Sequence, residues 1–245
     1  MKNQAQYNKL IAILKIEGDD DLSFLKKLSA TELELLRETI ENVFEQELGK
    51  QLERLAKVVK FIPNFLTAKI AESAIGPMVT ARITPYIDVK DAISIMKSLS
   101  IPFMSQTAEH LIPSKAKALI NALPMDLMKK VVSHLLNHHH FSVIGGFVEI
   151  TDDKRVIEIA NYIESEADLC RITAYVEKKE KIVPVILHLP ERKVLRLIEA
   201  SFNLHLQNDL FDIFSKMNNA QQKRIVAILG KLPTKIVNDI EKHLS

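Results

Sequence analysis

The sequence lacks several features that whole classes of protein require. Cys170 is the only cysteine, which excludes an intramolecular disulfide and is consistent with a reducing compartment. No apolar run approaches the ~18 uncharged residues that a membrane-spanning helix needs. The first residues also contain no signal-peptide core. We therefore expect a cytoplasmic protein that does not span a membrane.

Glycine and aromatic residues are also scarce. The 245 residues include six Gly and no Trp, whereas Leu, Ile, Lys and Glu are abundant, and this composition favours helices over sheets. The formal net charge is only +2, which gives no reason to expect a nucleic acid partner. The composition thus predicts an all-α protein that does not bind nucleic acid.

Three hexapeptides of one kind recur along the chain, at residues 119–124, 185–190 and 228–233. Each places two apolar residues five and four positions before a Leu-Pro pair, so that these residues and the leucine share one helical face. Proline suits the first turn of the next helix, where its missing N–H leaves no bond unmade. The pattern predicts a buried helix end, a tight corner and a new helix, with Leu123, Leu189 and Leu232 buried.

The first segment, residues 1–60, is predicted to form N-terminal helices. A short helix is expected over residues 3–16. Ser29 and Glu32 fit a capping box that opens one long helix over about 30–60. Its apolar residues form a narrow seam, which we expect to pack on the rest of the chain. The alternative is a homodimer formed through residues 30–60, which requires sustained heptads.

The second segment, residues 61–87, differs from the first in amino-acid composition. Small and apolar residues dominate it, and it contains three prolines and three charged residues, Lys69, Glu72 and Arg82. Gly76-Pro77 should end one helix and begin another. We expect two short connecting helices that are buried. The alternative is an apolar surface for a membrane, an apolar ligand or a partner.

The third segment, residues 88–245, is regular. Helix starts are predicted near Asp88, Pro102, Pro113, Pro124, Thr151, Ser165, Glu180, Pro190, Leu204, Asn219 and Pro233. Helices of only two to three turns are marginal alone, so they must be stabilised by stacking on neighbours. Short capped helices in succession indicate a helical-repeat domain, an armadillo-like superhelical stack that follows the longer N-terminal helix.

The Leu-Pro corners resemble those of the N-terminal cytoplasmic domain of the MgtE magnesium transporters. The matching stretches are residues 112–136, 182–200 and 225–244, and the middle domain of the flagellar protein FliG is a more distant likeness. This resemblance implies a right-handed superhelix of short helices. It does not imply transport or magnesium sensing, because the transporters' membrane bundle, nucleotide-sensing module and magnesium-holding acidic residues have no counterpart in this sequence.

The most unusual local feature is His134 followed by His138, His139 and His140. His134 and His138 are four residues apart and could face one metal ion, with Asp152 and Asp153 the nearest acids. We instead expect a solvated helix end, where histidine complements the helix dipole. The following residues, 141–150, contain Gly145-Gly146. They are predicted to form a tightly packed helix with glycines at a crossing, with a strand as the alternative.

Other candidate chemistry is weak. S-x-x-K occurs three times in this Lys-rich chain, at Ser23, Ser94 and Ser114, and carries no specificity. Cys170 lies on a predicted apolar helix face, which favours an inert buried thiol over a nucleophile. Basic residues cluster among interleaved glutamates and are expected on a solvated face: Lys178, Lys179, Lys181, Arg192, Lys193, Arg196, Lys223, Arg224, Lys231 and Lys235.

The sequence assigns no catalytic, cofactor-binding or metal-binding residue. The leading hypothesis is a non-enzymatic helical-repeat protein that binds a protein partner through one face of its superhelix. The second is a membrane-surface or apolar-ligand-binding protein that uses residues 61–87. An apolar tunnel or a long exposed apolar patch near these residues would favour it. The third and weakest is a metal-dependent protein around His134 to His140.

Overall fold

The computed structural model describes residues 6–7, 10, 23–234, 236–238 and 240, and the described residues are helical with no strand. The all-α prediction is confirmed. Most of the helix predicted over 3–16 lies outside the described residues. The chain divides into two compact units, Met1–His138 and His139–Ser245. The sequence-based boundaries after residues 60 and 87 both lie within the first unit.

The first unit begins with a 3-10 turn at Ser23–Lys27 and the helix α1 at Ala30–Val59. Ser29 caps α1 and forms the capping box with Glu32, whose carboxylate accepts from the Ser29 backbone N–H at 2.7 Å. At this end Leu33 packs with Leu10 and Leu25 in a small apolar cluster. Further along the seam, Val43 and Leu55 are exposed.

Short helices follow α1. They are α2 (Asn64–Ile70), a π-helix (Ala71–Ile75), α3 (Pro77–Ile83), a 3-10 turn (Thr84–Tyr86), α4 (Val89–Met96), α5 (Ile101–His110), α6 (Pro113–Ala122) and α7 (Met125–Asn137). The π-helix closes with a bond from the Gly76 N–H to the Ala71 carbonyl at 2.9 Å, which is the i→i+5 spacing. Gly76 has a φ of 81°, a conformation that glycine adopts without steric cost and that ends the π-helix.

Helices of the first unit pack in two layers. In one, α4 contacts both α2 and α6. In the other, α3 contacts α1 and α5, and α5 contacts α7. Two polar contacts fix the entry to this stack. Lys60 pairs with Asp88 at 2.6 Å, and Glu72 accepts from the Ser100 N–H at 2.7 Å. This N–H and the Ser100 hydroxyl hold the pKa of Glu72 below its ordinary value.

The second unit contains α8 (Phe141–Val148), α9 (Asp153–Tyr162), α10 (Glu166–Ala174), a 3-10 turn (Lys179–Lys181), α11 (Val183–His188), α12 (Glu191–Asn203), α13 (Gln207–Ser215) and α14 (Asn219–Leu229). Here too, alternate helices touch: α10 contacts α8 and α12, α12 contacts α14, and α9 contacts α11. Residues 141–148 are therefore helical, and the strand alternative is wrong. The helix predicted within residues 141–150 is confirmed as α8.

The three Leu-Pro corners bury their leucines as the sequence predicts. Leu123, Leu189 and Leu232 are each less than 10% exposed. Pro124 and Pro190 lie at the N-cap, one position before the N1 site that the pattern predicted. Their extended ψ angles near 140° place the corner on the proline itself. The leucine thus ends one buried face and the proline redirects the chain.

Candidate functional site

An apolar cavity of about 210 Å³ lies between the two helical layers of the first unit. Its lining comes from the end of α1 and from each later helix through α7. Every described lining residue is uncharged, and all are Leu, Ile, Val, Met or Ala except for four threonines. Several, such as Ala71, Ala92 and Ala108, have side chains too short to fill the space between the layers. The cavity is larger than the ~150 Å³ apolar cavity known to stay dry and to bind benzene.

The threonines add little polarity to this cavity. Hydroxyls of Thr80, Thr84 and Thr107 each bond to the carbonyl four residues earlier, at 2.7 to 2.8 Å, and are satisfied within their own helices. The Thr67 hydroxyl oxygen is buried and has no hydrogen-bond partner in the described part of the chain.

The cavity reaches the surface at one side. Leu55, Val58 and Ile75 line it and are also 50%, 55% and 39% exposed. Ile75 ends the π-helix and Leu55 and Val58 lie in the last turns of α1, so these two elements form the mouth. A π-helix is rare and frequently marks a functional site, and this one supplies two lining residues, Ala71 and Ile75.

Many exposed apolar side chains lie close in sequence to the residues that form the mouth. Eight of the thirteen exposed large hydrophobic residues in the described part of the chain fall within residues 55–79. We call this set the mouth patch: Leu55, Val58, Phe61, Phe65, Leu66, Ile75, Met78 and Val79. Phe61 is 89% exposed and Phe65 is 67% exposed. The predicted burial of residues 61–87 therefore holds for Ala68, Ala71, Ala81 and Ile83 and is wrong for the six mouth-patch residues in this range, from Phe61 to Val79.

The His134 to His140 region forms a helix end. The rings of His134 and His138 stack at 4.2 Å between centroids, and His138 Nδ1 lies 2.8 Å from the His134 carbonyl oxygen. His138 is the C-cap of α7, and His139 has a φ of 60°. No group of three or more His, Cys, Asp or Glu side chains that could hold a metal ion occurs among the described residues.

The second unit contains a smaller cavity of about 90 Å³ that Cys170 and Asp209 help to line. Burial raises the pKa of the Cys170 thiol to about 12, and its Sγ lies 3.5 Å from the Leu197 carbonyl oxygen. Asp209 pairs with Lys179, and both are buried. The solvated face predicted for Lys179 is thus wrong, because its ammonium is held inside the unit by Asp209 and by the Thr173 carbonyl.

Comparison of the chain with protein-family models, with curated proteins and with solved structures gives no match. Among the described residues, no helix is both long enough and apolar enough to cross a bilayer. The cavity and its mouth patch are therefore the features of the first unit that suit binding of a ligand. The apolar composition of residues 61–87 pointed to this region of the chain, but no feature of the sequence predicted the cavity.

Proposed function

We propose that the first unit binds an apolar ligand, a single hydrocarbon chain or a molecule of similar width, in the cavity between its two helical layers. The observation that carries this proposal is an uncharged cavity of about 210 Å³ whose mouth is built from exposed aliphatic residues. Binding sites for small molecules are commonly concave, apolar and furnished with few polar groups.

The size of the cavity limits the ligand. Sites for drug-sized molecules run from ~300 Å³ upward, so a space of about 210 Å³ takes a smaller body or one segment of a longer chain. Because the mouth lies at Leu55, Val58 and Ile75, a longer molecule would keep its polar end outside. The protein then acts as a carrier or sensor of an amphiphile and performs no chemistry on it.

A series of n-alkanols from butanol to dodecanol tests this proposal by calorimetry or by the rise in melting temperature. Each methylene that enters the cavity contributes ~0.8 kcal/mol, or about fourfold in affinity, until the cavity is full. The expected curve therefore rises with chain length and then levels off. Affinity that is undetectable, or that does not depend on chain length, would contradict the proposal.

Cavity-filling variants make the test specific. Ala108→Phe puts a ring into the cavity and should abolish alkanol binding, and Ala92→Phe serves as a second filling variant. Ala118→Phe adds the same ring to an exposed position of α6 in the same unit and should leave binding unchanged. Circular dichroism melts establish that each variant is folded before its affinity is measured.

The second candidate is a protein-binding superhelix in a cytoplasmic, non-enzymatic protein. It is supported by the contacts between alternate helices within each unit, which stacked helical repeats also make, and by the Leu-Pro corners that resemble the MgtE domain. Crosslinking in native cells tests it. Partner crosslinks should fall on lysines of one layer, such as Lys90 of α4 and Lys117 of α6, and be sparse on Lys129 of α7.

A further inference from the structure

We infer that the mouth patch docks on the surface of an anionic lipid bilayer, which is where the apolar ligand would enter or leave the cavity. The role given to docking, ligand entry and exit, rests on the proposed function, whereas the observations that support docking are separate ones. It concerns the outer surface of the first unit, whereas the proposed function concerns the interior.

The first observation is the concentration of exposed apolar side chains. Phe61 lies just beyond the end of α1 and Phe65 lies in the first turn of α2, so two aromatic rings project from consecutive elements. Soluble proteins expose single apolar residues routinely, but a dense run rimmed by charges marks an interaction surface. Aromatic and aliphatic side chains of this kind insert ~5–10 Å into the headgroup and acyl boundary.

The second observation is charge. Residues 50–88 contain six basic residues, Lys50, Arg54, Lys57, Lys60, Lys69 and Arg82, and three acidic ones, Glu53, Glu72 and Asp88, for a net charge of +3. Glu53 and Asp88 pair with Lys57 and Lys60. The whole chain is +2, so the remainder carries −1. The basic residues other than Arg82 are exposed. Positive charge is therefore concentrated on the same segment as the mouth patch.

Together these two features select the occupant. A second copy of the chain would bring another segment with a net charge of +3 against the first, and like charges would repel. A neutral apolar partner would offer no negative charge to the exposed basic side chains. An anionic bilayer satisfies both, because it buries the apolar side chains and attracts each nearby cation. The sequence predicts a cytoplasmic protein, and the membrane leaflet that faces the cytoplasm carries such a negative charge.

Vesicle co-sedimentation tests the inference, using the full chain with phosphatidylcholine vesicles that contain 0 or 30% phosphatidylserine. We expect binding only to the anionic vesicles and a decrease as salt rises. Phe61→Ser/Phe65→Ser should reduce the binding at least tenfold. Its matched control, Tyr162→Ser/Val226→Ser, removes two exposed apolar residues of the second unit and should bind as the natural sequence does.

Two variants that each remove two cations provide an independent test. Arg54→Gln/Lys69→Gln removes two exposed cations near the mouth patch and should lower binding to anionic vesicles by about 25-fold, fivefold for each charge. Lys223→Gln/Arg224→Gln removes two exposed cations of the second unit and gives the same total charge, and it should have no effect. Equal losses in the two variants would mean nonspecific attraction and would overturn the inference.

The outcomes separate this inference from the proposed function. If the Phe61/Phe65 variant keeps alkanol binding and loses vesicle binding, both stand. If the natural sequence binds alkanols and ignores anionic vesicles, the inference fails and the proposed function stands. If Ala108→Phe retains vesicle binding when no alkanol binds the natural sequence, docking stands without the cavity. A stable dimer in sedimentation that Phe61→Ser/Phe65→Ser dissociates would overturn the inference in favour of self-association.

Discussion

Lys179 and Asp209 form an ion pair inside the second unit, with 2.8 Å between Nζ and Oδ1 and both side chains less than 10% exposed. The Lys179 ammonium also donates to the Thr173 carbonyl at 2.6 Å. The second carboxylate oxygen of Asp209, Oδ2, is buried without a hydrogen-bond partner among the described residues. The pair links the 3-10 turn at Lys179–Lys181 to α13, thirty residues further along the chain.

Replacing one partner of this pair should be far more damaging than replacing both. Lys179→Met leaves the Asp209 carboxylate buried and uncompensated, which should lower the free energy of unfolding by about 3–5 kcal/mol. Lys179→Met/Asp209→Leu should recover most of that loss, because an apolar pair of similar volume is often neutral. Urea denaturation at neutral pH measures both.

The pair between Lys181 and Asp153 is the matched control. It has the same 2.8 Å separation but is partly exposed, and Lys181→Met should cost less than about 1 kcal/mol. If Lys179→Met costs no more than Lys181→Met, the buried pair does not contribute as described.

The Leu-Pro corner at residues 189–190 predicts a ranking of stabilities. Leu189 is buried in the core of the second unit, and Leu189→Ala should lower the free energy of unfolding by about 2–5 kcal/mol. Pro190→Ala should cost much less, because proline acts mainly by restricting the unfolded chain. Chemical denaturation that ranked the two variants in the opposite order would contradict the corner model.

The contact between α8 and α10 depends on Gly145. A Cβ at this position in α8 would lie 2.8 Å from the Cβ of Tyr175, the C-cap of α10, and 3.0 Å from the carbonyl oxygen of Ile172 within α10. Gly145→Ala should therefore destabilise the protein by about 1–3 kcal/mol, as other overpacking changes do. Gly230→Ala is the control, since nothing lies within 4 Å of its Cβ, and it should be neutral or slightly stabilising in a thermal melt.

Burial of Cys170 predicts a specific dependence of stability on pH. Its thiol has a pKa of about 12 in the folded protein against an ordinary value of 9.0. Between these values the unfolded chain loses the proton first, so this group's contribution is constant below about pH 9 and declines as pH rises toward 12. The slope is at most ~1.4 kcal/mol per pH unit. Urea unfolding at pH 8, 9.5 and 10.5 should show the decline, and it should be smaller in Cys170→Ala.

The histidines at residues 138–140 should contribute little to stability. His138 and His139 are exposed at the end of α7, so changing all three residues to Gln should leave the melting temperature within a few degrees. Elemental analysis of untagged protein checks the metal alternative directly. Stoichiometric zinc that the triple variant loses, with a melting temperature lowered by chelator, would make this region the functional centre.

Local patterns predicted much of the helical structure. The capping box at Ser29 and Glu32, the buried leucines at 123, 189 and 232, and the glycine crossing at 145 all follow from residues close together in sequence. Such features depend on one helix and its immediate neighbour, which periodicity and capping chemistry describe well. The helix over residues 141–148 was harder, because a short apolar run with two glycines suits a strand as well as a helix.

Longer-range features were not predictable in this way. Lys179 lies in a run of charged residues, and nothing near it in sequence signals that Asp209 will meet it inside the unit. The cavity is an absence of atoms that depends on how Ala71, Ala92 and Ala108 from three elements face one another. Exposure of Phe61 and Phe65 likewise depends on which surfaces the neighbouring helices leave uncovered, and composition alone suggests burial.

The π-helix at Ala71–Ile75 differs from an α-helix by a single extra residue, so it can be gained or lost through insertion or deletion of one codon. Removing that residue would let the backbone from Asn64 continue as a regular α-helix and would turn Ile75 by roughly 100° around the axis. The mouth of the cavity would change while the layers behind it kept their sequence. A change of one residue in the length of the chain at this point would therefore alter the opening of the cavity without any substitution in its lining.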